Sequence, residues 1–167
     1  MKLTSKDANK ILSELTNDIY SLQTAEQEKR FFIAATVENK EDVRPAYDYN
    51  DTKAKLEELE TKVMKIKHAL NVFNTVTVVP EFNKTIDEML IYIPQLTKKK
   101  LKLSTMKSKP EFERVQTAVR TNFIEYRYIN YDLAQIEADY KAVTEELINA
   151  QIALDRVNIS ATFDVEL

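Results

Sequence analysis

Residues 132–158 read DLAQIEADYKAVTEELINAQIALDRVN. Apolar or small residues fall at Leu133, Ile136, Tyr140, Val143, Leu147, Ala150, Leu154 and Val157, in alternating steps of three and four. That spacing places one stripe on one helix face and holds a heptad seam for more than three heptads. Asp132 followed by Gln135 offers a capping-box-like start. A stripe of this length must be buried against another helix, so the stretch predicts long amphipathic helices packed lengthwise.

Three further stretches carry the same period. In 51–74 it runs through Leu56, Leu59, Val63, Ile66, Leu70 and Phe73, with Asn50 or Asp51 as the expected cap. In 4–29 it runs through Ala8, Leu12, Leu15, Ile19 and Leu22, with Thr4 and Asp7 placed to cap the start. In 85–107 it runs through Ile86, Met89, Ile93, Leu96 and Leu103, with Lys100 interrupting it. Thr85 to Glu88 matches the S/T-x-x-E capping box, and Pro94 inside the stretch predicts a kink.

Three segments read as extended: Phe31–Val37, Thr75–Val79 and Phe123–Tyr131. A small sheet at one end of the bundle would unite them. Glu38 to Tyr49 reads as a polar loop, and 108–122 as a second connection. The expected fold is mainly α: an elongated antiparallel bundle, or coiled-coil hairpins, of about four long helices with a small β element near one end. Nothing marks a boundary, so 1–167 is expected to form a single helical domain.

Composition excludes several functions. The chain has no Cys, which removes disulfides, thiolate catalysis and Cys-bound zinc. It has no Gly, which removes the P-loop, the Rossmann fingerprint and the nucleophile elbow. Without Gly, helix ends are expected to use Asn, at Asn74 and Asn158. The N-terminus lacks the apolar core of a signal peptide, and no stretch approaches the roughly 20 apolar residues that span a bilayer. A cytoplasmic location is expected.

Candidate chemistry is sparse. His68 is the only histidine, with Lys65 where a Glu-x-x-His metal motif needs Glu, so no metal site and no cofactor are expected. Lys98, Lys99, Lys100, Lys102, Lys107 and Lys109 form a basic run that can offset the acidic final helix or meet phosphate. The run holds no arginine and no interleaved aromatic ring, and the net charge is -3, so nucleic acid is disfavoured as a partner. Tyrosine is more informative, because polar-aromatic knots sit near expected helix ends. They contribute Arg44, Tyr47, Tyr49, Tyr92, Arg127, Asn130 and Tyr131, joined by His68, Asn71 and Asn74. Such residues suit a ligand pocket or an interface hot spot, or equally serve irregular turns.

The same blocks carry a resemblance. Arg44-Pro45-x-Tyr47-Asp48-Tyr49, Lys67-His68-Ala69-x-Asn71-x-Phe73-Asn74, the run from Thr85 to Leu96, Tyr126-Arg127-x-x-Asn130-Tyr131-Asp132 and Leu154-Asp155-x-Val157-Asn158 resemble an uncharacterised family of Gram-positive bacteria. That group is in turn similar to the septicolysin-like family. The resemblance covers nearly the whole chain and implies a helical fold, with no catalytic residue to carry over. Haemolysis is not assigned, since no apolar hairpin or glycine-rich insertion segment is present.

The expected function is therefore a non-enzymatic, self-associating interaction or scaffold module, with another protein as a further possible partner. One alternative is a small-ligand or enzymatic site at the Tyr/Arg/His/Asn-rich end. Another is nucleic-acid or anionic-surface binding through Lys98 to Lys109.

Overall fold

The computed structural model describes residues 1–115 and 123–166. Residues 116–122 of the expected connection lie outside the described residues. In chain order the elements are β1 (Lys2–Thr4), α1 (Ser5–Lys29), α2 (Lys40–Val43), α3 (Tyr49–Val76), β2 (Val78–Val79), β3 (Lys84–Thr85), α4 (Ile86–Lys107), β4 (Phe112–Arg114), β5 (Tyr126–Tyr128), α5 (Leu133–Ser160) and β6 (Thr162–Asp164). The protein is mainly α, with three small antiparallel strand pairs among the described residues.

Every seam position named above in α1, α3, α4 and α5 is buried or half-buried. The caps explain where two helices begin. At α1 the Thr4 hydroxyl accepts from the Asp7 amide at 3.1 Å, and the Asp7 carboxylate takes the Thr4 amide at 3.2 Å. At α4 the Glu88 amide donates to the Thr85 hydroxyl at 3.2 Å, and the Thr85 amide to Glu88 at 2.7 Å. Both are complete capping boxes. Asp132 takes the Ala134 amide at 2.8 Å, while Gln135 turns to Asp139 instead of closing a box.

Two compact units result: Met1–Val76 with Val157–Leu167, and Thr77–Arg156. In the first, α1 and α3 form an antiparallel hairpin. Ala8, Ile11, Leu12 and Leu15 pack with Ile66 and Ala69, while the far ends meet through Glu26 and Tyr47. β1 pairs with β6, Leu3 opposite Phe163, and the Met1 amino group donates to the Val165 carbonyl at 2.8 Å. Phe163 then meets Phe73 with ring centroids 4.8 Å apart. In the second unit, α4 and α5 are also antiparallel: Met106 is tied to Tyr131, and Tyr92 to Glu146. Its buried apolar residues include Val79, Ile86, Met89, Leu96, Leu147 and Ala150.

Several local expectations are corrected. The cap of α3 is Asp48, not Asn50 or Asp51: its carboxylate takes both of their amides, at 2.8 and 3.1 Å. Phe31–Val37 is not a strand. A strand needs a ladder partner, and this run turns on itself, with the Ala35 amide held by Glu38 at 2.9 Å. Thr75 and Val76 extend α3, so only Val78–Val79 is strand. β-branched residues cost a helix well under 1 kcal/mol each, which tertiary context overrides. The extended segments do not share one sheet: β2 pairs with β3 and β4 with β5. Asn74 and Asn158 lie within the last turns of their helices rather than past them. The left-handed Asn among the described residues is Asn83, at φ 47°, in the turn from β2 to β3. Pro94 lies inside the single helix α4, as expected from the one 85–107 stretch.

Candidate functional site

The first tyrosine knot sits where α1 meets α3. The Tyr47 hydroxyl donates to Glu26 Oε1 at 3.1 Å. Partial burial raises the Tyr47 pKa above the ordinary phenol value, and the Glu26 hydrogen bond adds to it. The cleft beside it is small, about 180 Å³, lined by Leu22, Glu26, Lys29, Tyr47 and Asp51 among others. Arg44 does not reach into it. Its guanidinium grips Glu41 in a two-point contact at 2.8 and 2.9 Å and lies 5.2 Å from the Phe32 ring centroid.

Tyr49 begins α3 and Asn74 lies near its end, 25 residues on. At 1.5 Å per residue that separates them by about 37 Å. The structure therefore does not bring Tyr47 and Tyr49 together with Asn71 and Asn74. His68 and Asn71 are exposed on α3. Asn74 is half-buried, with its Oδ1 lacking a hydrogen-bond partner among the described residues.

The second unit repeats this dispersal. Tyr92 donates to Glu146 of α5, stacks near Phe82 at 6.2 Å, and has Lys84 Nζ 4.8 Å above its ring. The Glu146 bond, with burial second, raises its pKa. Tyr131 sits at the other end of α4, donating to the Met106 carbonyl at 2.8 Å and so satisfying an end carbonyl of that helix. Fourteen residues, about 21 Å, separate Tyr92 from Met106 along α4. Arg127 pairs with Glu113 at 2.9 Å, and Asn130 is exposed. Tyr47, Tyr92 and Tyr131 each pin one helix or connection to its neighbour.

The lysine run does not make one stripe. At 100° per residue, Lys98 and Lys102 share one side of α4, while Lys100 and Lys107 share nearly the opposite one. Lys109 lies past the helix end. Lys107 Nζ is 5.3 Å from the Tyr140 ring centroid, and Lys99 and Lys102 line a groove with Asp139. Among the described residues, no group of three or more His, Asp or Glu is placed to hold a metal ion.

Two open grooves along α4 and α5 had no counterpart in the sequence reading. One, about 420 Å³, is lined by Leu103, Met106, Ile136, Ala142 and Val143 with the charges just named. The other, about 400 Å³, is lined by Leu90, Ile93, Pro94, Gln151, Leu154 and Asp155. A second unforeseen feature is the β4–β5 hairpin. Phe112 lies opposite Tyr128, and Arg114 opposite Tyr126, while Glu113 and Arg127 pair on the other face. The alternation of Tyr126-Arg127-Tyr128 was visible in the sequence. The Phe112-Glu113-Arg114 segment carries the matching alternation and is the signal that would have found its partner strand.

No known family profile matches the sequence, and no curated protein matches it. The fold is shared with a solved structure described as a functionally unknown conserved protein from Corynebacterium diphtheriae. The TM-score is 0.60 at 16% identity, covering 98% of this chain and all of that one. No helix among the described residues is long and apolar enough to cross a membrane.

Proposed function

We propose that this protein is a non-enzymatic, self-associating helical module that serves in interaction or scaffolding. The carrying observation is the pair of open grooves along α4 and α5, whose walls include seam residues that the chain itself only half-covers. Charge supports a second copy as the occupant. α4 carries five lysines against two carboxylates, and α5 carries five carboxylates against two cations. A two-fold pairing that sets α4 of one copy beside α5 of the other joins opposite charges along its length. The absence of cysteine suits a reducing, cytoplasmic setting. Membership of the uncharacterised Gram-positive group belongs to the same proposal and rests on the sequence blocks described above.

Light scattering on the purified protein at about 100 μM is expected to give at least a dimer, dissociating on dilution as mass action requires. Ala142 lines the groove while remaining exposed, so Ala142→Arg fills the groove with charge and leaves the hairpin core intact. It is expected to yield monomer with unchanged helical content. A wild-type monomer at that concentration overturns the proposal.

A further inference from the structure

The β4–β5 hairpin has two chemically distinct faces. The register pairs Phe112 with Tyr128 and Arg114 with Tyr126, so these four side chains share one face. The ladder continues beyond the strands, because the Val115 amide donates to the Glu125 carbonyl at 2.9 Å and the Ile129 amide to the Glu111 carbonyl at 3.0 Å. Strand alternation then puts Glu111, Glu113 and Glu125 together on the opposite face with Arg127. Every carboxylate of the described hairpin is thereby excluded from the aromatic face, whose one charge is Arg114.

The three rings form a contiguous cluster. Phe112 lies 5.9 Å from both Tyr126 and Tyr128, and the two tyrosines lie 6.4 Å apart. Cross-strand ring pairs of this kind stabilise a hairpin. That role does not require exposure, yet the three residues remain 56%, 45% and 67% exposed in sequence order. The half-buried Glu113, Val115 and Ile129 lie on the carboxylate face, so the ring face is the one turned to solvent.

We infer that this face is a stacking platform for single-stranded nucleic acid, in which Phe112, Tyr126 and Tyr128 take the bases and Arg114 takes a phosphate. Charge selects the ligand. A cationic aromatic face cleared of carboxylates is complementary to a ligand that is both aromatic and anionic. A second copy meeting this face with its own brings another arginine and no carboxylate to it, which disfavours that pairing. An anionic bilayer is held by several cations, and this face offers one; base stacking is held by rings, and this face offers three. Because the rings read the flat faces of bases and not their edges, binding is expected to be tolerant of sequence.

The test uses the full chain and a fluorescein-labelled oligo(dT) of roughly 12 nucleotides, within the usual site sizes of about 4–16. Anisotropy is read in about 50 mM salt, where phosphate contacts are strong. Saturable binding is expected, weakening as salt rises. The double change Tyr126→Leu with Tyr128→Leu keeps apolar packing across the strands but removes two rings; it is expected to weaken binding at least tenfold. Tyr126→Phe with Tyr128→Phe keeps the rings and is expected to bind within about twofold of wild type, which separates stacking from damage to the hairpin. The inference is overturned by no binding, by equal binding of an abasic oligomer of the same length, or by the Leu pair binding as tightly as the Phe pair. Binding to phosphatidylserine vesicles in the absence of oligonucleotide binding also overturns it, in favour of a membrane surface.

Discussion

The α1–α3 hairpin and the α4–α5 hairpin start from the same sequence pattern and finish differently. Both seams step by three and four, and both hairpins are antiparallel. In the first, Ala8 and Ile66 are fully buried where the helices cross, small beside large, which lets the backbones approach. The β1–β6 pair then covers that end, with Leu3 and Val165 joining the same core. In the second, Leu103, Met106 and Val143 face each other across an open groove and stay half-buried. A heptad seam therefore dictates that a face will be covered; the size of the side chains and what the chain places over them decide whether it is covered from within.

Three substitutions would break or sharpen that contrast. Leu147 is buried in the α4–α5 unit, so Leu147→Asp puts a carboxylate at a buried apolar position. It is expected to cost about 3 kcal/mol or more and to lower the helical circular dichroism signal. A melting temperature unchanged by that change would remove the seam assignment for α5. Next in size is Ile66→Ala in the closed hairpin, at about 3 kcal/mol in urea unfolding, since its site has no solvent side into which to relax. Leu103→Ala, beside the open groove, removes a side chain of similar size and is expected to cost only about 1 kcal/mol. Equal losses from the two would show that the groove is closed in solution, as a bound second copy would close it.

What could be read in advance follows the range of the interactions. The seams and both capping boxes were legible, because each is set by residues three or four apart. The start of α3 was missed by two residues because Asp48, Asn50 and Asp51 are all good caps, and Asp48 takes the amides of the other two. The β1–β6 pair joins Lys2 to Asp164 and leaves no local trace. The candidate site residues were read as polar-aromatic knots near expected helix ends that could form a pocket or an interface. Their partners, Glu26, Glu41, Glu113 and Glu146, were not seen, because most of them come from distant elements. Those partners account for Tyr47, Tyr92 and Arg127 as ties between neighbouring segments, and for Arg44 as a local pair at the end of α2. The aromatic hairpin face was half legible. Alternation marked Tyr126–Tyr128, but Phe112 lay in a segment read as an irregular connection.

The smallest effect tests where the two hairpins are alike. Thr4→Ala and Thr85→Ala each remove the hydroxyl of an equivalent capping box, and each is expected to cost about 1 kcal/mol. Each threonine also ends a strand, Thr4 opposite Thr162 in the β1–β6 ladder and Thr85 opposite Val78 in the β2–β3 ladder. Those ladders use backbone groups, which Ala preserves, so the two losses should match. At α1 the cap adds a pH dependence. Hydrogen bonds from the Thr4 hydroxyl and amide hold the Asp7 pKa below its ordinary value of 3.8. A carboxylate with a lowered folded pKa stabilises the fold above its unfolded pKa, and that contribution fades as pH falls through the folded one. The wild-type melting temperature should therefore drop on acidification below about pH 4 more steeply than that of Asp7→Asn, whose neutral amide has no charge to lose. Parallel slopes for the two would mean that the cap contributes through geometry alone. In that case Thr4→Ala should still match Thr85→Ala.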